Sequence, residues 1–264
     1  MNYETIIFEE TELGLYVLTL NRPASLNAMN MKMVGELYDI FSFLQDSSST
    51  RVIVLTGAGR GFCSGADLRD SSVMSPSSEG ALSHFDKTQR VFSGLVVQLT
   101  KLPQILIAAV NGPAIGAGLS LALAADVVFA GPAASFTPAF INVGLSAGEL
   151  GSSYFLPRIV GLPRAMEILL TGRTVGADEA ERIGLITRQV GQEDLLKEAL
   201  ETARAMLDKT PAGLRLTKEA VRLNLSAANL EAAIALEDRN QSLCAASPES
   251  YKMVERFIKK KPPA

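Results

Sequence analysis

The chain has 264 residues, of which 47% are hydrophobic and 20% charged, a composition typical of a globular protein with one large domain or one domain and an appendage. Its formal net charge is −3 and its basic residues are scattered, which argues against a nucleic-acid partner. The first ten residues do not resemble an export signal, and no apolar run is long enough to span a membrane. We therefore expect a cytoplasmic protein without a membrane partner.

Strands and helices are predicted to alternate through the first 190 residues. Met29–Leu44 and Asp86–Leu99 have apolar residues at helical spacing, and the polar segment Ser71–Gly80 is predicted to be a mobile surface loop, with a lid over a site as the alternative. This alternation indicates an α/β fold. The predicted strands are Thr5–Glu10, Leu13–Leu20, Val52–Gly57, Ile105–Val110, Val127–Gly131 and Leu185–Val190.

The pattern becomes helical after about Gln192. We therefore divide the chain into an α/β core, residues 1–192, and a C-terminal helical region, residues 193–264. Apolar residues such as Leu196, Leu223 and Leu225 are expected to pack against neighbours. The helices predicted here are Leu195–Leu207, Pro211–Leu225, Leu230–Leu243 and Tyr251–Ile258.

Two strands run into glycine-rich turns, Gly57–Gly65 and Gly112–Gly118, the second of which opens a helix near Gly116. Glycines let a ligand approach the backbone closely, and the first N–H groups of a helix lack intrahelical partners. Each turn is therefore able to donate an N–H to an oxygen atom of a ligand. Neither turn has the spacing of a dinucleotide-binding motif or a P-loop.

The nucleophiles and metal ligands in the sequence are few. Cys63 and Cys244 are far apart and lack companions at zinc-ligand spacing, so neither a disulfide framework nor a metal site is expected. Cys63 is interpreted as a packing residue in a tight turn. The single histidine, His84, is expected on the surface, with substrate contact as the alternative.

Several segments together resemble the crotonase superfamily, which comprises enoyl-CoA hydratases and isomerases. They follow the family's order and spacing over essentially the whole chain. The resemblance implies a spiral of ββα units and a C-terminal helical region that trimerises, giving a homotrimer or a hexamer built as a dimer of trimers. The segments are Asn21–Pro23, Leu26–Ala28, Gly65–Leu68, Ile107–Asp126, Leu170–Arg173 and Ala180–Leu185.

The resemblance also implies an acyl-CoA thioester substrate, with coenzyme A as part of the substrate and no prosthetic group. In the family, two backbone N–H groups polarise the thioester carbonyl, and the matching residues are Ala66 and Ala117. From the first part of the chain, the expected coenzyme A contacts are Ala24, Leu26, Ser64, Asp67 and Leu68. The C-terminal tail is expected to add Phe257 and Lys260. In some family members, this tail belongs to a neighbouring subunit.

The chain departs from the family at both catalytic glutamates of the hydratases. By spacing, these positions are Ser120 and Phe140, and neither side chain performs the acid–base work of a glutamate. One carboxylate, Glu149, lies in a nearby turn. It is predicted to shuttle a proton in an apolar setting, with stabilisation of the next helix's N-terminus as the alternative.

Three functions remain open at this point. The first is double-bond isomerisation of an enoyl-CoA by Glu149, with Ala66 and Ala117 holding the enolate. The second is hydration, in which Glu149 and Ser120 share the work of two glutamates. The third is a catalytically lapsed acyl-CoA-binding protein. The direction in which Glu149 points distinguishes the third from the others.

Overall fold

A computed structural model describes residues 2–74 and 81–260, apart from the side chains at positions 74, 81–85 and 260. Its main sheet has six strands in the order β1-β2-β3-β4-β6-β9, parallel except for the β1–β2 pair. A second sheet has the order β5-β7-β8. The strands are β1 (Ile6–Glu12), β2 (Leu15–Leu20), β3 (Val52–Gly57), β4 (Ile105–Val110), β5 (Pro113–Ile115), β6 (Val127–Ala130), β7 (Ser135–Thr137), β8 (Val175–Gly176) and β9 (Arg188–Gln189).

Helices surround these sheets and form the C-terminal region. Short 3-10 turns cover Pro23–Ser25, Ala139–Val143 and Gln192–Asp194. The α-helices are α1 (Met31–Asp46), α2 (Ser71–Met74), α3 (Ala81–Lys101), α4 (Ala117–Leu123), α5 (Ser152–Val160), α6 (Leu162–Thr171), α7 (Ala177–Arg182), α8 (Leu195–Leu207), α9 (Pro211–Asn224), α10 (Leu230–Ala245) and α11 (Pro248–Lys260).

The central strands are buried on both faces, which explains their continuous apolar sequences. Val54 pairs with Ile107, and both face the side of the sheet that α8 covers. Leu55 pairs with Ala108, and both face the larger core, to which α1 and α3 contribute. Helix α8 therefore packs on the sheet directly, although it belongs to the predicted C-terminal region.

The carboxyl ends of β3 and β4 lie side by side because the two strands are parallel neighbours. Each of these two strands runs directly into one of the glycine-rich turns, so both turns lie at the carboxyl ends of the strands. The short sheet β5-β7-β8 begins immediately after β4 and leads into α4. The fold thus brings together two turns that are about fifty residues apart in sequence.

A cluster of partly buried charges fixes α9 to the core. The Asp126 carboxylate, at the start of β6, accepts from Lys218 at 2.8 Å and from Arg222 at 2.7 Å. Burial lowers the pKa of Lys218, and the charge of Asp126 opposes that change. Beyond α9 the chain continues outward, with α10 against α9 and α11 against α10.

Most predicted elements are confirmed, several with shifted ends. Helix α8 matches its prediction end to end, and β3 and β4 do as well. The loop prediction for Ser71–Gly80 is wrong over Ser71–Met74, where a short helix forms; positions 75–80 are outside the described residues. No helix within the described ranges is long and apolar enough to cross a membrane.

Candidate active site

Two asparagine side chains shape the turn that follows β3. Asn27 is fully buried and donates to the carbonyl oxygens of Ala58 at 2.9 Å and Gly61 at 2.7 Å. Asn111, directly after β4, donates to the carbonyl oxygens of Gly57 and Gly59, both at 2.9 Å. These bonds satisfy carbonyls that a tight turn leaves without backbone partners, and they hold the turn in one conformation.

The two glycine-rich turns are in direct backbone contact. The Cys63 N–H donates to Pro113 at 3.0 Å, and the Ile115 N–H donates to Cys63 at 2.9 Å. A Cβ on Gly118 would lie 2.1 Å from the Cys63 carbonyl oxygen, so only glycine fits there. Burial raises the pKa of the Cys63 thiol to about 12, consistent with its interpretation as a packing residue.

The contact leaves two backbone N–H groups available. The residues on either side of Ala66 form backbone hydrogen bonds with Met29: the Gly65 carbonyl accepts from the Met29 N–H at 2.7 Å, and the Asp67 N–H donates to the Met29 carbonyl at 2.9 Å. Because successive residues of an extended segment point to opposite sides, the Ala66 N–H is directed away from Met29. Ala117 is the first residue of α4, where an N–H has no intrahelical acceptor. Neither N–H donates to any acceptor among residues 2–74 and 81–260.

The Ala66 and Ala117 amides belong to adjoining turns. A Cβ on Gly65, which has a φ of +95°, would lie 2.8 Å from the Ile115 carbonyl oxygen and 3.5 Å from the Ala117 nitrogen. Glycine at position 65 is therefore required both by the left-handed backbone conformation and by the close approach. This arrangement can provide two donors to one oxygen atom, as in an oxyanion hole.

An apolar cavity of about 120 Å³, here called the inner cavity, opens beside these turns. Ala66 and Gly116 form part of its wall. Apolar side chains form most of the remainder, and Glu149 is the one ionisable group among the described lining residues. The apolar lining residues include Val73, Phe92, Ile115, Phe140, Val143, Leu145 and Leu150.

The Glu149 backbone is fixed by a turn before α5. Its N–H donates to the Ser152 hydroxyl at 3.1 Å, and its carbonyl accepts from the Ser152 N–H at 2.9 Å. Leu150 follows with a φ of +48°, an uncommon conformation for leucine. Helix α5 begins at Ser152 with Gly151 as its N-cap.

The Glu149 carboxyl group is half-buried and lies on the inner cavity. Burial raises its pKa above the ordinary glutamate value, and a hydrogen bond with the Gln89 side chain opposes that rise. Within the described part of the chain it forms no ion pair. A carboxyl group in this setting changes protonation more readily near neutral pH than an exposed glutamate does.

Ser120 and Phe140, the two positions that the sequence resemblance assigns to the glutamates of the hydratases, carry no acid or base. Ser120 is fully buried, and its hydroxyl lies 3.5 Å from the Gly116 carbonyl oxygen. Phe140 lines the inner cavity. Its ring lies over Gly116, so that a Cβ added to this glycine would be 3.5 Å from the Phe140 Cζ atom. A phenyl ring thus occupies the space over Gly116, while the serine lies within α4 and does not line the cavity.

A larger groove of about 720 Å³, here called the outer groove, adjoins the inner cavity through Ser64, Ala66 and Leu68, which line both. Asp67 forms an ion pair with Arg22 at 2.8 Å inside this groove. Leu68 is 56% exposed, so it does not serve as a core residue. All five of the contacts predicted from the first part of the chain line the outer groove: Ala24, Leu26, Ser64, Asp67 and Leu68.

Three side chains at the site were not predicted from the sequence. Arg60 and Arg69 line the outer groove, are exposed, and form no ion pair with the described residues. Gln89 of α3 lines the inner cavity beside Glu149. Arg60 lies within the first glycine-rich turn and Arg69 follows it by four residues, so both are close enough to a motif to be noticed. Gln89 belongs to no motif and is sixty residues from Glu149 in sequence.

Of the two C-terminal candidates, Phe257 does not join the site within one chain. Phe257 is 71% exposed on α11 and lines neither the inner cavity nor the outer groove. Lys260 ends α11, but its side chain is outside the described residues, as is that of His84 in α3. No group of three or more histidine, cysteine or acidic side chains in the described ranges can hold a metal ion.

Comparisons with known proteins find similar sequences over nearly the whole chain. The family model for enoyl-CoA hydratase/isomerase matches residues 10–264. The chain is 43% identical over 238 residues to a probable enoyl-CoA hydratase of Mycobacterium tuberculosis, covering 89% of this chain and 83% of that protein. It is 36% identical over 259 residues to the 1,2-epoxyphenylacetyl-CoA isomerase of Escherichia coli, covering 97% of each.

Solved structures are similar over nearly the whole fold. A putative enoyl-CoA hydratase from Streptomyces coelicolor superposes with a TM-score of 0.91 at 34% identity, covering 99% of this chain and 94% of that one. A monofunctional enoyl-CoA isomerase from M. smegmatis superposes with a TM-score of 0.73 at 41% identity, covering 87% and 98%. The predicted α/β fold with a helical C-terminal region is confirmed.

Proposed function

Because the chain belongs to the enoyl-CoA hydratase/isomerase family of the crotonase superfamily, we propose that it moves a double bond within an enoyl-CoA thioester, with Glu149 as its acid–base group. The observation that supports this choice is the position of Glu149. It is the one ionisable side chain among the described residues that line a mostly apolar cavity, and Ala66 and Gly116 of the two glycine-rich turns line the same cavity.

The reaction requires one base and one oxyanion site. In a 3-enoyl thioester, Glu149 takes a proton from C2, and the electron pair of that bond moves onto the thioester oxygen to form a dienolate. The N–H groups of Ala66 and Ala117 stabilise this oxygen, a contribution of about 3–4 kcal/mol per donor in other enzymes. Glu149 then returns the proton to C4, which leaves the 2-enoyl thioester.

Hydration is a poorer fit to the same residues. It needs one group to activate water and another to deliver a proton to carbon, and Ser120 and Phe140 provide neither. Ser120 is buried against Gly116 and away from the inner cavity, while the Phe140 ring makes the cavity wall apolar. The half-buried Glu149 on the cavity also favours an active enzyme over a lapsed binding protein.

The outer groove suits the coenzyme A part of the substrate. Its volume of about 720 Å³ far exceeds that of the inner cavity, and the two meet at Ala66, where the thioester would lie. Arg60 and Arg69 present guanidinium groups without described carboxylate partners, and guanidinium is well matched to phosphate. No prosthetic group is needed for this chemistry.

We also propose that the protein assembles as a trimer, or as a hexamer of two trimers, and that it is cytoplasmic. Within one chain, Phe257 lies on the exposed face of α11 and away from the outer groove. In the proposed assembly, Phe257 and Lys260 reach the groove of a neighbouring subunit.

The reaction can be tested with panels of 2-enoyl-, 3-enoyl- and dienoyl-CoA thioesters in deuterated water. We expect double-bond migration with deuterium at the α- or γ-carbon and no net addition of water, as read by mass spectrometry and NMR. A 3-hydroxyacyl product as the main outcome would establish hydration instead. Tight binding of thioesters without turnover of any panel member would establish the lapsed binding protein.

A further inference from the structure

The inner cavity adjoins a second apolar space. A groove of about 690 Å³, here called the side groove, is lined by residues of α3, α4, α5 and α9. Its apolar lining includes Val96, Val97, Leu123, Phe155, Ile159 and Leu225. Leu150 is the one described residue that lines both the inner cavity and the side groove, so it stands at the boundary between the two spaces.

Two segments of the chain cross this boundary. On α3, Phe92 lines the inner cavity, whereas the next residue, Ser93, lines the side groove. In the turn before α5, Glu149 lines the cavity and Gly151 lines the groove, with Leu150 between them. Each segment thus lines first one space and then the other, and Leu150 is the point at which the second segment passes between them.

Leu150 is held rigidly in this position. Its side chain is buried in the larger core, and its φ of +48° lies in the region that glycine adopts most readily. A leucine there keeps a bulky side chain in place at a cost in backbone conformation. The turn is fixed by Ser152, which donates its N–H to the Glu149 carbonyl at 2.9 Å and its hydroxyl to the Ala147 carbonyl at 2.5 Å. Leu150 is therefore a fixed part of the cavity wall.

The inner cavity is small compared with the side groove. In another protein, an apolar cavity of about 150 Å³ binds one molecule of benzene. By that measure, the inner cavity of about 120 Å³ has room for an acyl group of about four to six carbons. A longer chain needs either a path to solvent or space beyond Leu150.

We propose that Leu150 is a specificity-determining residue: its side chain closes the inner cavity against the side groove and limits the substrate to acyl groups of about four to six carbons. This inference rests on the proposed function in placing the acyl group of the thioester in the inner cavity. A chain that extends past Leu150 would displace a buried side chain from the core, whereas a short chain leaves it in place.

The side groove is suited to an alkyl chain once the boundary is removed. The charged side chains among its described lining residues are engaged with other groups: Asp126 pairs with Arg222 at 2.7 Å, and Arg158 lies over the Tyr154 ring at 3.7 Å. An alkyl chain in the groove would therefore bury apolar surface without leaving a charge unpartnered. Truncation of Leu150 should open this space to the acyl group.

The test measures the effect of chain length in Leu150→Ala, with Leu123→Ala as the matched control. Leu123 is a buried leucine that lines the side groove but not the inner cavity, so its truncation enlarges the groove without joining the two spaces. Leu150→Gly is a second variant, because glycine suits the positive φ. Isothermal titration calorimetry gives the affinity for saturated acyl-CoA thioesters from butanoyl to hexadecanoyl, and kcat/KM is measured with 3-enoyl thioesters of the same lengths.

In the wild-type protein, we expect affinity and kcat/KM to be highest for chains of butanoyl and hexanoyl length and to fall from octanoyl length onward. Both Leu150 variants should raise the preference for decanoyl over hexanoyl length by about tenfold or more, since one methylene group in an apolar pocket changes kcat/KM by about 10–200-fold. Leu123→Ala should keep the wild-type profile.

Equal wild-type affinity for hexanoyl and dodecanoyl thioesters would overturn the proposal, whether or not the variants fold. A folded Leu150 variant with the wild-type profile would also overturn it, as would an equal gain for long chains in Leu123→Ala. Failure of the proposed function is read separately, because binding of saturated thioesters requires no proton transfer. Near-native turnover in Glu149→Gln would contradict the acid–base role of Glu149 and leave the chain-length profile unaffected.

Discussion

Ala66 and Ala117 act through backbone atoms in the proposed site, so their side chains give little indication of a function. The residues around them, in contrast, must meet strict requirements of backbone conformation and close packing. Gly65 must adopt a positive φ beside the Ile115 carbonyl, and Gly118 must let the Cys63 carbonyl approach. From the sequence, the glycines are predicted to let a ligand approach the backbone, whereas in the structure Gly65 and Gly118 admit the neighbouring turn. The choice of the two alanines comes from family resemblance.

A proline at position 117 tests the backbone donor. Ala117→Pro removes the N–H, and proline is well tolerated at the first position of a helix, where no intrahelical bond is lost. We expect a loss of kcat/KM of about 10²–10³-fold, the usual effect of deleting one oxyanion donor. Ala117→Gly keeps the N–H and should have a mild effect. A folded proline variant with wild-type kcat/KM would exclude Ala117 as a donor.

At the scale of elements, the strongest sequence signals were long runs with one periodicity. Helix α8 was predicted end to end because its apolar spacing is regular, and β3 and β4 because strands buried on both faces are continuously apolar. Three short strands, β5, β7 and β8, were missed. Strands of two or three residues are too short to establish an alternating pattern.

The segment around Glu149 illustrates why a site is harder to predict than its scaffold. Leu150 and Gly151 both have positive φ, which delays the start of α5 until Ser152. The position of Gln89 on the same cavity depends on how α3 lies across this turn, and no local pattern encodes it. Sequence reasoning identified the acid but not this amide.

The packing of the two turns predicts opposite effects for two glycine substitutions. Gly118→Ala places a Cβ 2.1 Å from the Cys63 carbonyl oxygen, so we expect a lower melting temperature and loss of activity. Gly35→Ala, in the middle of α1, meets nothing within 4 Å and should stabilise the protein by about 0.5–1 kcal/mol, because alanine favours helix.

Calorimetric or circular-dichroism melting curves of the two variants provide the measurement. An unchanged melting temperature in Gly118→Ala would contradict the close backbone contact between the turns. Since the same side-chain change is made at both positions, a general effect of adding a methyl group cannot account for opposite signs.

At the scale of the whole molecule, the apolar surface of the C-terminal region exceeds what a solvated appendage would expose. On α11, Tyr251, Val254, Phe257 and Ile258 are each between 57% and 71% exposed. The predicted burial of Leu223 and Leu225 does not occur within one chain, where they are 53% and 61% exposed. Such a surface is expected to be covered by further copies of the chain.

We therefore expect sedimentation equilibrium at micromolar concentration to give a trimer or a multiple of it. Phe257→Asp should weaken that association, because it introduces a charge on the exposed apolar face of α11. A stable monomer in the wild-type protein would contradict the trimeric assembly, while leaving the family assignment and the chemistry at Glu149 unaffected.

The central claim, that one carboxylate performs the proton transfer, is tested most directly by the kcat of Glu149→Gln on the best substrate from the thioester panels. Glutamine preserves the size of the side chain and removes its ability to exchange a proton. We expect kcat to fall by about 10²–10⁴-fold with little change in thioester binding, the usual effect of losing an acid–base group. A kcat near that of the wild type would contradict the mechanism.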